Sequence, residues 1–219
     1  MTQGRQQATV GILGAGRVGS NIARRAAAKG VDVKVATAKD PSTISLIIEL
    51  MAPGAQAVSS AEAAAQDIVI LAVPMHKFTD IDPHLLDGKI VIDAMNYWAP
   101  TDGTIDIFEH DSRSTSEIVQ DYFTGAKVVK TLNHIGYHEF ESYATEPGDP
   151  NRRALAVAGD DEAAKAAVSA LIEHLGYDAA NIGPLSAGVL LQPGARIFSG
   201  PQTLASIAEI LDHESERAA

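Results

Sequence analysis

Apolar residues along this chain gather in short runs, at residues 8–13, 31–36, 67–73, 89–93 and 128–132, with a shorter one at 55–58, and the run at 67–73 is continuous after Asp67. Between them lie stretches of helical character, at 20–29, 42–51 and 118–123, and an alanine-rich piece at 61–65. Continuous apolar runs suit strands that are covered by helices on both faces. Strands alternating with helices predict βαβ units and a parallel, doubly wound sheet. Polar residues punctuate the pattern. Asp40-Pro41 reads as an N-cap carboxylate with proline at the first helical position, and Pro53-Gly54 as a stop. Ser59 or Ser60 can cap the alanine-rich helix. Ser114 and Glu117 form S-x-x-E, a capping box. Residues 101–113 are polar and aperiodic and read as loop.

The last third differs in pattern. Residues 155–161, LAVAGDD, read as a strand and a turn, and Asp161 caps a helix over 162–175 that stops at Gly176. A short strand follows at 178–182. Gly183-Pro184-Leu185 leads into a segment broken at Pro193-Gly194 and Gly200-Pro201, and a helix over 203–211 closes the chain.

The first apolar run ends in Gly14, Gly16 and Gly19, a G-x-G-x-x-G that opens the first helix. This is the arrangement of a dinucleotide site. Gly14 allows the tight turn, Gly16 lets a pyrophosphate approach the backbone, and Gly19 lets the helix sit close on the strand. The helix start then offers N–H groups and partial positive charge to the phosphates. The fold class is therefore α/β, a Rossmann-type doubly wound, mainly parallel sheet over residues 8–133. A small C-terminal α/β part, 134–219, completes the acceptor site.

An NAD-binding unit usually ends its second strand with an acidic residue that takes the ribose 2′-hydroxyl. Here that strand runs into Ala36, Thr37, Ala38 and Lys39. A hydroxyl and an ammonium suit a 2′-phosphate, so NADP(H) is the expected cofactor, with Thr37 and Lys39 on the phosphate. The alternative is a solvated loop lysine. Ligands of such sheets lie beyond the carboxyl ends of the strands. Ala72, Val73, Pro74, Met75 and His76 therefore face the cofactor, and Ala94, Met95 and Asn96 lie near the nicotinamide. Asn96 either bonds the cofactor or holds its own loop. Asn133, His134 and Ile135 end the next strand on the same side.

Composition narrows the partners. The formal net charge of −11 over 219 residues argues against a nucleic-acid surface. With no cysteine there is no disulfide, thiol chemistry or cysteine-ligated metal, and no metal site is expected. No apolar run approaches the roughly 20 residues of a membrane helix, and residues 1–7 lack a signal-peptide core. A cytoplasmic protein is expected.

Taken in order, the glycine motif, the Thr37-Ala38-Lys39 tip, the Pro74 turn, the capping box before AKVVKTLNHI, the GDD with its helix and the GPL turn resemble the NADPH-dependent reductases of coenzyme F420, a deazaflavin. The similarity runs over residues 8–191 and rests on order and spacing. It implies hydride transfer between NADP(H) and F420. It also implies Gly14, Ala15, Gly16, Arg17, Val18, Thr37, Lys39, Val73, Pro74 and Met95 as NADP contacts, His134 and Ile135 near the deazaflavin, and a homodimer. Archaeal members carry arginine directly after the hydroxyl residue of the tip, where this chain has Ala38, so Lys39 acts alone.

Such a reaction needs two planar carriers held in near-attack geometry rather than a nucleophile. His134 is the candidate to orient or deliver the accompanying proton, against a structural histidine bonded to backbone. Three rivals stand beside this reading. A β-hydroxyacid dehydrogenase would place an asparagine four residues after its lysine, which no lysine here has, and the roughly 80 residues after His134 are short for its helical domain. A flavin- or metal-reductase-like enzyme would share the NADPH half. A redox sensor would bind NADP(H) without turnover.

Overall fold

The computed structural model describes residues 8–218; the polar stretch 1–7, read above as lacking a signal peptide, lies outside them. One eight-stranded sheet organises the chain. In chain order it comprises β1 (Val10–Leu13), β2 (Val33–Ala36), β3 (Gln56–Ala57), β4 (Ile68–Leu71), β5 (Ile90–Asp93), β6 (Lys127–Lys130), β7 (Ala154–Gly159) and β8 (Asp178–Gly183). The spatial order is β3-β2-β1-β4-β5-β6-β7-β8. The first six strands are parallel. β7 runs antiparallel to β6, and β8 parallel to β7. The order reverses between β1 and β4, which opens a crevice at the carboxyl edge of the sheet.

The helices are α1 (Arg17–Ala28), α2 (Ser45–Met51), α3 (Ser60–Ala64), α4 (Ala99–Asp102), α5 (Asp106–Glu109), α6 (Thr115–Tyr122), α7 (Glu139–Ser142), α8 (Glu162–Leu175) and α9 (Leu204–Ala218). Their ends are where the capping chemistry places them. Ser59 and Ser114 each complete a capping box, with Glu62 and Glu117. Asp161 accepts the Ala164 N–H and Gly176 stops α8 in the left-handed region, whereas Asp40 accepts the Ser42 N–H at a short 3-10 turn, Pro41–Thr43, and α2 starts later, at Ser45, without a side-chain cap. Each carboxylate relieves N–H groups that a helix start leaves unpaired.

Two layers cover the sheet. Ile22, Ala23 and Ala26 of α1 pack with Val168, Leu171 and Ile172 of α8 on one face, against alternate strand residues such as Ile12, Val35 and Ile70. Val119 of α6 and Ala63 of α3 pack on the other, against Val69, Leu71 and Val91. β4 is buried at all four positions, which accounts for its unbroken apolar run. Burying each such aliphatic side chain contributes roughly 1.5–3 kcal/mol. Among the described residues no helix is long and apolar enough to cross a membrane.

The structure changes three expectations. Residues 101–113 are not plain loop: α4 and α5 lie there or border it, tied by Asp102, which accepts from the Trp98 N–H at 2.9 Å and meets His76 Nδ1 at 3.1 Å. The closing helix runs on through the charged tail to Ala218, because exposed charge does not end a helix that no Gly or Pro interrupts. The boundary at 133/134 divides no sheet. β7 pairs with β6 through Val129 and Lys130, and the C-terminal part folds back over α1. There Arg25 donates to the Leu175 carbonyl, Arg24 pairs with Glu141 and Lys29 with Glu146.

Candidate cofactor and acceptor site

The three glycines play different parts. Gly14 has a φ of 119°, a backbone angle that side chains disfavour. A Cβ on it would lie 2.3 Å from the Ala72 carbonyl oxygen, and one on Gly19 would lie 1.9 Å from the Gly14 oxygen. Both are needed for packing. A Cβ on Gly16 would meet nothing within 4 Å. Gly16 is also the N-cap of α1, supplies no side-chain cap, and precedes a first turn without acidic residues. The space above it is open and bordered by a helix start suited to an anion. Ala15 and Val18 pack on the core beside it.

The tip of β2 lies beside this loop, since the Gly14 N–H donates to the Ala36 carbonyl at 2.9 Å. Thr37 Oγ1 accepts the Lys39 N–H at 3.2 Å, and Ser60 Oγ donates to the Thr37 carbonyl at 3.3 Å. Lys39 is exposed. No carboxylate closes the strand at Thr37 or Ala38. Asp40, the nearest in sequence, is engaged by the Ser42 hydroxyl and N–H at 2.6 and 2.9 Å, which hold its carboxyl below the usual range. The residues present therefore fit a cofactor carrying a 2′-phosphate. Across the crevice, Ala72, Val73 and Pro74 follow β4, and the Ala72 N–H donates to Leu13.

The ends of β5 and β6 are dense with polar bonds. Asn96 and Asn133 exchange two hydrogen bonds, each 2.8 Å long. Asn133 Nδ2 also donates to the Leu191 carbonyl at 2.6 Å. Asn96 thus ties the end of β5 to the segment that follows β6. Sequence reasoning missed a buried cluster beneath this pair. Lys130 and Asp93 are both fully buried and 3.3 Å apart. Ser116 Oγ donates to Asp93 Oδ2 at 2.7 Å. Burial pushes the Lys130 ammonium down from its ordinary pKa, and the Asp93 charge opposes that. The available signal was a charged residue at the end of each of two apolar strands; that Asp93 and Lys130 are partners in register is a result of the structure.

His134 corrects an expectation. Its Nε2 accepts the Ala156 N–H at 3.0 Å and its Nδ1 lies 3.3 Å from Asn133 Oδ1. An Nε2 that accepts leaves the neutral ring's proton on Nδ1. Burial, reinforced by the Lys130 charge, pulls its pKa down to about 3. It does not deliver a proton at neutral pH; it is the backbone-bonded histidine considered as the alternative. Ile135 is placed differently. It borders a shallow surface cleft with Leu132, Tyr137 and, from α1, Val18 and Ile22. Leu132 turns the chain off β6 with a φ of 64°. Arg17 reaches across from the glycine loop and donates to the Tyr137 hydroxyl at 3.1 Å.

Known proteins bear on this geometry. Residues 9–97 match the family model described as NADP oxidoreductase, coenzyme F420-dependent. A hypothetical protein, SMa0349, from Sinorhizobium meliloti is 30% identical, with a TM-score of 0.76 over 90% of this chain and 95% of its own. A candidate F420-dependent NADP-reductase from Arthrobacter sp. FB24 is 24% identical, with a TM-score of 0.68 over 96% of this chain and 93% of its own. A pyrroline-5-carboxylate reductase from Coxiella burnetii shares the fold at 15% identity, with a TM-score of 0.55 over 97% of this chain and 70% of its own. No curated protein matches the sequence. Together with the family match, this geometry identifies an NADP-dependent oxidoreductase. The chain belongs to the family of coenzyme F420-dependent NADP oxidoreductases.

Proposed function

We propose that this protein transfers a hydride between NADP(H) and a deazaflavin of the coenzyme F420 type. The observation that carries the reading is the open space above Gly16 at an uncapped helix start. In this reading the backbone of Gly14, Ala15, Gly16, Arg17 and Val18 binds the pyrophosphate, with Gly19 keeping the helix close. Thr37 and Lys39 bind the 2′-phosphate. Ala72, Val73 and Pro74 on one side, and Ala94, Met95 and Asn96 on the other, flank the nicotinamide. When bound, the cofactor supplies or accepts the hydride at its nicotinamide ring. Ile135 and Tyr137 give the planar acceptor an apolar surface to lie against beside α1. With His134 locked neutral, the proton that accompanies deazaflavin reduction comes from solvent.

The test is an anaerobic assay of the purified protein with NADPH and F420, following the deazaflavin absorbance, with NADH and free flavin as controls. Bleaching with NADPH and not with NADH is the expected result. NADPH binding without turnover of F420 overturns the acceptor; turnover of flavin would then indicate a flavin reductase, and no turnover a sensor. The same reading takes the protein to be a homodimer, which light scattering checks.

A further inference from the structure

Met95 is held from both of its polar ends. Its N–H donates to Asp93 Oδ1 at 3.0 Å, and its carbonyl accepts from Lys130 Nζ. Both holding groups belong to the buried pair, and Ser116 of α6 fixes Asp93 Oδ2. Gly188 closes the pair from above, where a Cβ would lie 3.4 Å from Lys130 Cγ. The hydrophobic neighbours Val91, Ile92, Val128 and Val129 line the two strands below and are buried. An ion pair in such a place does not exist for stability alone, because apolar residues of the same volume serve a core as well or better.

What the pair does to the backbone follows from peptide geometry. In a planar trans peptide the C=O and N–H point in opposite directions, and the described residues contain no cis bond. Turning the Met95 N–H toward Asp93 therefore turns the Ala94 C=O away. Turning the Met95 C=O toward Lys130 likewise turns the Asn96 N–H away. The result is one acceptor and one donor on adjacent peptides, facing away from the ion pair. Neither has a hydrogen-bond partner among the described residues. Ala94 is 4% exposed, and a carbonyl buried to that degree calls for a partner.

A primary carboxamide has the matching pair, an NH2 donor and a C=O acceptor on one carbon. We propose that Ala94 C=O and Asn96 N–H bind the carboxamide of the nicotinamide, and that Lys130 and Asp93 are the positioning residues that present them. This rests on the placement of the nicotinamide at the end of β5 in the reading above. Lys130 and Asp93 touch neither cofactor nor acceptor. They act through the Met95 peptides, and fix the ring's rotation and so the face from which hydride leaves.

The experiment uses the full chain and two substitutions together, Lys130→Met with Asp93→Ala, which removes the acceptor of the Met95 N–H as well as the charge. The double variant leaves no unpaired buried charge, and a thermal melt checks that it folds. The probes are NADPH, its 3-acetylpyridine analogue, in which a methyl replaces the amide NH2, and 2′,5′-ADP, which lacks nicotinamide. The wild type should bind NADPH at least about tenfold more tightly than the analogue, as sites that hydrogen-bond a missing group do. In the folded double variant that preference should collapse toward one, and kcat should fall about 100-fold from loss of orientation. Binding of 2′,5′-ADP should be unchanged. A folded variant that keeps the preference and kcat overturns the inference, as does a wild type that binds the analogue as tightly as NADPH. A wild type that does not bind 2′,5′-ADP overturns the placement of the cofactor itself, a separate result from the other two.

Discussion

The crevice at the top of the sheet has two unlike sides. Around β1 and β2 the site is made of backbone and of space. Gly16 faces nothing, the α1 start is uncapped and Lys39 is exposed. Around β5 and β6 it is made of side chains bonded to one another, Asp93, Ser116 and Lys130 in one buried group and Asn96, Asn133 and His134 in another. The first side waits for a ligand to supply its missing partners. The second has most of its partners already and, by the inference above, presents the Ala94 C=O and the Asn96 N–H. A phosphate is a large, diffuse anion that any array of N–H groups can hold. A redox ring must be held at one angle, and that needs rigid support.

The largest effect should come from substituting a glycine that packs. Gly19→Ala drives a Cβ into the Gly14 carbonyl, and such backbone overpacking costs about 3 kcal/mol or more. A thermal melt should show a drop of roughly 10 °C, or no soluble protein. Gly16→Ala should behave in the opposite way. Its melting temperature should stay within about 2 °C of wild type while NADPH affinity falls about 100-fold, as when a ligand's close approach to backbone is blocked. Equal loss of stability in both variants would erase the distinction between packing and binding glycines.

A third test addresses the strand tip. Lys39→Glu should lower the preference for NADPH over NADH by about tenfold or more, the worth of a charged hydrogen bond. An unchanged ratio of kcat/KM values would make Lys39 a solvated lysine. The smallest effect concerns the crowded side. His134 is neutral in the fold, with a pKa near 3, and ionises at about 6.5 when unfolded. Its contribution to stability is therefore complete above about pH 6.5 and is lost as pH falls toward 3, at about 1.4 kcal/mol per pH unit. His134→Gln retains an acceptor for the Ala156 N–H. Between pH 7.5 and 5.5 it should lose about 1 kcal/mol less stability than wild type, with kcat within a few-fold. A larger loss of kcat would restore a chemical role to the histidine.

The two sides were also unequally legible. A glycine at a tight turn, a serine three residues before a glutamate and an unbroken apolar run each impose a local constraint. The loop, the Ser59 and Ser114 caps and β4 therefore stood out from neighbours in sequence alone. The Asp93–Lys130–Ser116 cluster joins residues up to 37 positions apart, through strand pairing and the capping of α6. The register of β5 against β6 brings Asp93 to Lys130, and α6 adds Ser116. His134 failed for a related reason. Its position at a strand end was read correctly, but its ring is filled by Ala156, which arrives on an antiparallel strand that local pattern does not orient. The loop at 101–113 hid α4 and α5 because four-residue helices lack enough turns to show a period.

The unbroken sheet across residues 133 and 134 has one more consequence. Many two-part enzymes close over their substrates by rotating one part against the other about a few hinge residues. Here the link between the parts is a strand pair and a buried chain of bonds running from Asn96 through Asn133 and His134 to Ala156. Bending there would break all of them at once. Rotation about residues 133 and 134 would therefore cost both the strand pairing and this chain of bonds, so the sheet carries the two parts as one body through that junction.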